Sequence, residues 1–170
     1  MIPRFETISE LTPELLRAHL QVNGAVLIEK FLWEPLAKLD REDLLWGDER
    51  KVDFALQSRI ENSHALMNLV ADSIDGNDQT ECIIDLLTIP PGNPGDERTD
   101  VTVGSVLCLL FLDTHDHWTS APVIGGETIN VPRGSVLIFR GDIEVGLRPN
   151  IDPESRVMIG FRIDPPTPPP

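Results

Sequence analysis

Apolar residues repeat at helical spacing in the first half of the chain and form short continuous runs in the second half. Thr12 followed by Pro13 predicts the start of a helix, because threonine caps helix N-termini and proline suits the first turn. Asn23 and Gly24 predict the end of that helix. The other elements predicted in this half are a strand at 25–28 and helices at 33–45 and 63–74.

The second half has the pattern of a β-rich region. Turn-forming proline, glycine and asparagine separate apolar runs, and two polar stretches, 90–99 and 113–122, predict loops. Because these apolar strands need a second layer to cover them, the pattern predicts a rolled two-sheet barrel with the helices packed outside. The strands are predicted at 82–89, 104–112, 127–131, 135–140 and 156–163.

The fold class predicted is therefore mostly β with flanking N-terminal helices. We expect one domain over residues 1–164, with a helical part at 1–80 and barrel strands at 81–164. Residues 165–170 read PPTPPP, and this composition predicts a proline-rich tail outside the domain.

Net charge, cysteine content and the absence of long apolar runs indicate which partners and which cellular compartment to expect. The chain has 170 residues and a formal net charge of −14, which disfavours binding to nucleic acid or to anionic lipid. Cys82 and Cys108 lie in apolar runs and are expected to be reduced core residues. The N-terminus has no apolar signal core, and no apolar run is long enough to cross a membrane. We therefore expect a cytoplasmic protein.

Three blocks of sequence resemble one enzyme family. They are the segment GSVLIFRG at 134–141 followed by Val145-Gly146, Asn150 and Arg156, the loop at 91–100, and the opening helix and strand within 15–32. Together they resemble the phytanoyl-CoA dioxygenase-like iron(II)/2-oxoglutarate oxygenases, in particular the fungal branch that modifies meroterpenoids and indole alkaloids. The resemblance implies a double-stranded β-helix, also called a jelly roll.

The resemblance also shows where the metal ligands of such an enzyme would stand. These enzymes hold iron(II) with two histidines and one carboxylate. Here Asp100 matches the carboxylate, whereas Arg98 and Val145 stand at the two histidine positions. A guanidinium has no lone pair to donate, and valine has no ligand atom. If the match slips by one residue, Glu144 takes the distal position, which would leave two carboxylates and no histidine.

Arg156 matches the arginine that binds the far carboxylate of 2-oxoglutarate in this family. The resemblance therefore implies a remnant cofactor-binding position. The alternative is an ordinary ion pair at the end of a strand, with Asp152 or Glu154 as the partner. In so acidic a chain, both interpretations stay open.

One other cluster could bind a metal. His115 and His117 are two residues apart and, with Asp100, could form an alternative metal site. The competing interpretation is a polar surface loop in which Trp118 packs against the barrel.

These features predict a catalytically inactive protein. We expect a partner or regulatory subunit of an active non-heme iron oxygenase in meroterpenoid-like natural-product biosynthesis, with iron(II) and 2-oxoglutarate bound by the homologous active subunit of a heterodimer. One alternative is an iron-independent isomerase or cyclase that uses Asp100, Glu144 or Glu97 as acid or base. The other is a divergent dioxygenase that uses Asp100 with His115 or His117.

Overall fold

The computed structural model describes residues 2–46, 64–74, 82–89, 91–93, 95–97 and 104–164. Helix α1 (Pro13–Asn23) begins as predicted, since the Thr12 hydroxyl accepts the backbone N–H of Leu15 at 3.1 Å. Gly24 ends the helix with a φ of 80°, the left-handed conformation that favours glycine. Two further α-helices of the described residues lie close to their predicted positions: α2 is Glu34–Trp46 and α3 is His64–Ser73. A 3-10 helix at Ile8–Glu10 was not predicted.

The strands of the described residues form two sheets. The larger sheet has the order β1-β2-β8-β5-β10-β3, and the smaller sheet has the order β4-β9-β6-β7. The strands are β1 (Arg4–Phe5), β2 (Ala25–Ile28), β3 (Cys82–Ile89), β4 (Asp96–Glu97), β5 (Val106–Phe111), β6 (Pro122–Ile124), β7 (Glu127–Thr128), β8 (Val136–Arg140), β9 (Val145–Leu147) and β10 (Arg156–Ile163).

The long apolar strands were predicted better than the short ones. Strands β2, β3 and β10 coincide with their predicted ranges, whereas the strand predicted at 127–131 is reduced to the two residues of β7. Strands β1, β4, β6 and β9 contain two or three residues each and were not predicted as strands. So short a segment carries no alternation of its own, and only pairing with a neighbour makes it a strand.

Strand β8 shows how the larger sheet separates two apolar clusters. Val136 and Ile138 pack with the helices on one face, and Leu137 and Phe139 face the smaller sheet on the other. We call the second group the inter-sheet cluster, because it joins side chains of both sheets. Its buried members are Ile2, Ala25, Leu27, Phe111, Ile124, Ile129, Val131, Leu137, Phe139, Val145 and Met158.

This architecture confirms a mostly β protein with N-terminal helices. Closure of the two sheets into a barrel and the proposed domain limits stay predictions, and the proline-rich tail at 165–170 lies outside the described residues. No helix within the described ranges is both long and apolar enough to cross a membrane.

Candidate functional site

Strand β9 carries the position at which the resemblance places the distal histidine. Val145 is buried, with 6% of its surface exposed, and it belongs to the inter-sheet cluster. Its antiparallel partner on β6 is Ile124, which is a member of the same cluster. The side chain at this position is therefore surrounded by apolar atoms and offers none that could coordinate a metal.

The segment that the resemblance matches to the family's first metal-binding motif includes strand β4 and the residues after it. Strand β4 pairs antiparallel with β9 and ends where Glu97 lies opposite Gly146. The predicted site residues Arg98 and Asp100 lie outside the described residues. The predicted fallback residue Glu144 is exposed, immediately before β9. It does not belong to the inter-sheet cluster that contains Val145.

Arg156 is the first residue of strand β10. It forms an ion pair with Asp152, which is one of the two roles that the sequence allowed for this arginine. Its Nη2 lies 3.2 Å from Asp152 Oδ2, and 12% of its side chain is exposed. Its Nε is buried and has no hydrogen-bond partner among the described residues. Because side chains alternate along a strand, Arg156 lies on the same face of β10 as Met158, a member of the inter-sheet cluster.

His115 is fully buried next to this end of the cluster. Its Nδ1 lies 3.0 Å from the carbonyl oxygen of Ser120, and its ring packs edge-on against Phe111 with centroids 4.8 Å apart. Nε2 has no partner among the described residues. Burial lowers the pKa of His115 to about 4. The positive charge of Arg156 also lowers this pKa, whereas the hydrogen bond to Ser120 raises it. The ring is therefore neutral at pH 7, and Nδ1 donates its proton to the carbonyl.

His117 lies in different surroundings from His115. Its side chain is exposed, and its Nε2 is 2.8 Å from Nη2 of Arg148. Within the described ranges, no group of three or more histidine, cysteine, aspartate or glutamate side chains is placed to hold a metal ion. The structure therefore gives His115 and His117 separate roles in packing and at the surface, and the alternative ligand set that combines them with Asp100 stays a prediction.

The loop after β5 contains a buried ion network that the sequence analysis missed. Asp113 Oδ1 lies 2.6 Å from Nε of Arg41 and 3.2 Å from Nη2 of Arg133, while Asp113 Oδ2 accepts the backbone N–H of Val157 at 2.9 Å. Arg41 also donates to the carbonyl of Ser155 at 2.9 Å. The network ties helix α2 to β10. Its only sequence signal is an aspartate directly after an apolar strand, which is also the signal of an ordinary loop.

A cavity of about 980 Å³ opens beside strand β9. Its wall combines apolar side chains such as Ile124 and Ile143 with backbone from several glycines. Glu144, Arg140 and Arg148 are the charged residues on this wall within the described part of the chain. The complete described lining is Val22, Asn23, Gly24, Gly95, Val123, Ile124, Gly125, Gly126, Arg140, Ile143, Glu144, Gly146, Leu147, Arg148 and Pro149.

The fold defined by these two sheets is that of several iron- or 2-oxoglutarate-dependent proteins of known structure. HygX from Streptomyces hygroscopicus, solved with nickel and 2-oxoglutarate bound, superposes with a TM-score of 0.71 at 12% identity, over 88% of this chain and 85% of HygX. The non-heme alpha-ketoglutarate-dependent epimerase SnoN from nogalamycin biosynthesis gives 0.69 at 11% identity, over 90% and 82%. A Pseudomonas putida prolyl-4-hydroxylase gives 0.64 at 16% identity, over 100% and 98%.

No protein-family model and no curated protein sequence matches the chain. At these low identities the structural likeness establishes a common fold.

The residues that the resemblance assigns to the metal site do not fit an iron centre with two histidines and one carboxylate. Iron(II) oxygenases with this ligand pattern need two imidazoles and a carboxylate on one face of the metal. At the distal position this chain places a buried valine among apolar side chains. At the first histidine position the sequence has an arginine, which has no lone pair to donate.

Proposed function

We propose that this chain is a catalytically inactive protein with the iron(II)/2-oxoglutarate oxygenase fold, and that it acts as the partner subunit of an active non-heme iron oxygenase. The observation that carries the proposal is Val145. The resemblance assigns Val145 to the position of the distal histidine, and the residues around Val145 are packed as hydrophobic core.

Strand β4 brings the segment that precedes Arg98 in the sequence beside β9. Its last residue, Glu97, lies opposite Gly146, which directly follows Val145.

The surroundings of Arg156, the residue expected to bind 2-oxoglutarate, also favour a protein that does not bind this cofactor. Arg156 already has a carboxylate partner in Asp152 at 3.2 Å. The neutral ring of His115 and the ring of Phe111 pack at the same end of the inter-sheet cluster. An incoming dicarboxylate would have to compete with Asp152 for Arg156 in a region where His115 and Phe111 are both fully buried.

The proposed setting is natural-product biosynthesis. SnoN, which has this fold, is from nogalamycin biosynthesis. The sequence resemblance to enzymes that modify meroterpenoids and indole alkaloids points to the same kind of pathway. We propose that the chain supports a homologous active subunit in a heterodimer, and that iron(II) and 2-oxoglutarate are held by that subunit.

Co-expression tests the partner role. The iron(II)/2-oxoglutarate oxygenases of the source organism are expressed one at a time, with and without this chain, and analysed by size-exclusion chromatography with light scattering. We expect one oxygenase to elute as a 1:1 complex with the chain, to contain about one iron per complex, and to gain activity or solubility from it. Separate elution from every oxygenase, with unchanged activity, would refute the partner role.

The same purified chain tests the two alternatives. Glu144 borders the cavity and is the described carboxylate available to an iron-independent isomerase or cyclase. Conversion of a substrate by the isolated chain without iron, abolished in Glu144→Gln, would favour that alternative. Activity that requires added iron and is lost in Asp100→Asn would favour a divergent dioxygenase.

A further inference from the structure

Two large apolar side chains are exposed side by side at one edge of the molecule. Trp118 is 59% exposed and Ile151 is 64% exposed. The backbone N–H of Ile151 donates to the carbonyl of Trp118 at 2.9 Å, so the two residues are held next to each other. The expectation that Trp118 packs against the barrel is therefore wrong. Exposure of a tryptophan beside an isoleucine is a feature of protein-binding surfaces.

Hydrogen bonds within the loop and one ring contact restrain Trp118. Asp116 Oδ1 accepts the backbone N–H of Trp118 at 2.9 Å and the hydroxyl of Thr119 at 3.0 Å. The ring of His117 packs edge-on against the indole, with centroids 4.6 Å apart. A side chain that is already ordered loses little conformational entropy on binding.

Arg148 adds an unusual charge to this surface. The hydrogen bonds of its side chain among the described residues are with His117, at 2.8 Å from Nη2 to the ring Nε2 and at 3.4 Å from Nε to the backbone carbonyl. Within the part of the chain that the structure describes, no carboxylate pairs with it. By contrast, six other arginines each lie between 2.6 and 3.2 Å from a carboxylate oxygen, namely Arg4, Arg41, Arg133, Arg140, Arg156 and Arg162.

We infer that Trp118, Ile151, His117 and Arg148, the Trp118 patch, form a docking surface for a protein partner. The partner's matching surface has an apolar pocket for the indole and an aspartate or glutamate that pairs with Arg148. In a chain with 28 acidic and 14 basic residues, an arginine that pairs with none of the described carboxylates is a binding group available to another molecule. Tryptophan and arginine are also the residue types that dominate binding energy at interfaces. The inference rests on the proposed function, since it takes the oxygenase subunit as the partner.

The test uses the oxygenase that forms the complex with this chain. Its affinity is measured by biolayer interferometry for the unchanged chain and for Trp118→Ala and Arg148→Glu. We expect each substitution to raise the Kd at least about tenfold. Two matched controls are Trp33→Ala, which removes a tryptophan that is 74% exposed elsewhere, and Arg162→Glu, which makes the same change in charge. Both controls should bind within about twofold of the unchanged chain.

The possible results separate this inference from the proposed function. If the complex forms and both patch variants bind normally, the Trp118 patch is wrong and the partner role stands. If no oxygenase binds, both fail together. Analytical sedimentation of the isolated chain tests whether a second copy of this chain binds at the patch. A homodimer that dissociates in Trp118→Ala would show that it does, and would overturn the assignment of the patch to an oxygenase. Circular dichroism confirms that each variant is folded.

Discussion

At the scale of single residues, the burial of His115 links the stability of the fold to pH. The neutral ring donates through Nδ1 to Ser120 and lies edge-on to Phe111, and its pKa is lowered to about 4, chiefly by burial. An unfolded chain would bind a proton at this histidine near its ordinary pKa of 6.5. Between these two values the unfolded state binds more protons, so the stability that His115 contributes is complete above pH 6.5 and decreases as the pH falls toward 4.

We predict a difference in pH dependence between the unchanged chain and His115→Gln. A shift from 6.5 to about 4 corresponds to about 3 kcal/mol of unfolding free energy lost between pH 7 and pH 4. The many carboxylates also titrate in this range, so the quantity to measure is the difference between the two proteins in urea unfolding at each pH. His117→Gln, at an exposed position, is the control and should follow the unchanged chain. A difference for His115→Gln that is constant across this range would contradict the assignment.

Single site residues differed in how far the sequence could predict them. Val145 was assigned to the distal ligand position because Gly146, Asn150 and Arg156 keep the spacing of the family's motif, and this assignment stays a prediction. The exposure of Trp118 could not be predicted, since an aromatic residue after an apolar strand is equally compatible with packing against the sheet. Arg41 could not be paired with Asp113 because 72 positions separate them in the sequence, as their numbers show, and only the packing of α2 near β10 joins them.

At the scale of elements, the turn before β8 depends on one glycine. Gly134 has a φ of 90°, and a Cβ added there would overlap the carbonyl oxygen of Leu32. The two residues are also joined by a hydrogen bond of 2.9 Å from the Leu32 N–H to the Gly134 carbonyl. The close approach fixes the segment after β2 against the start of β8, a central strand of the larger sheet.

We predict that Gly134→Ala costs about 2–4 kcal/mol of unfolding free energy, since it combines an unfavourable φ with a backbone clash. Gly125→Ala is the matched control, because Gly125 has a φ of 59° but open space around its Cβ position. It should cost about 1 kcal/mol from the left-handed conformation alone. Urea midpoints of the two variants measure the difference. Equal losses would show that the clash with Leu32 is relieved by local movement.

A helix or strand could be predicted where its own residues contain the signals for its start, its end or its apolar pattern. Helix α1 carries its cap and its stop in Thr12 and Gly24, and strand β10 is a long apolar run. Strands β4 and β9 have two and three residues, and they exist because they pair with each other beside the expected metal position. The sequence motif predicts a site in this region, whereas the strand pairing that builds the region could be obtained only from the structure.

At the scale of the whole molecule, the two sheets both contribute side chains to one apolar cluster. The fold is common to this chain and to proteins solved with nickel, iron or 2-oxoglutarate, at identities of 11–13%. A common fold does not fix function, which depends on the residues at the site. Here the inter-sheet cluster includes Val145, which the resemblance assigns to the distal ligand position, and the exposed Trp118 patch lies at the surface. Both features favour a protein whose contribution is made through binding.

The central claim is that replacement of two histidines has removed the metal centre. The most direct measurement is the iron bound per isolated chain after anaerobic equilibrium dialysis against iron(II) and 2-oxoglutarate, for the unchanged chain and for Arg98→His/Val145→His. The control Arg98→His/Val131→His introduces the second histidine at another buried valine of the inter-sheet cluster. We predict negligible iron in the unchanged chain and the control, and up to about one iron in the first double variant, because it restores two imidazoles and Asp100. One iron bound by the unchanged chain, and lost in Asp100→Asn, would contradict the account.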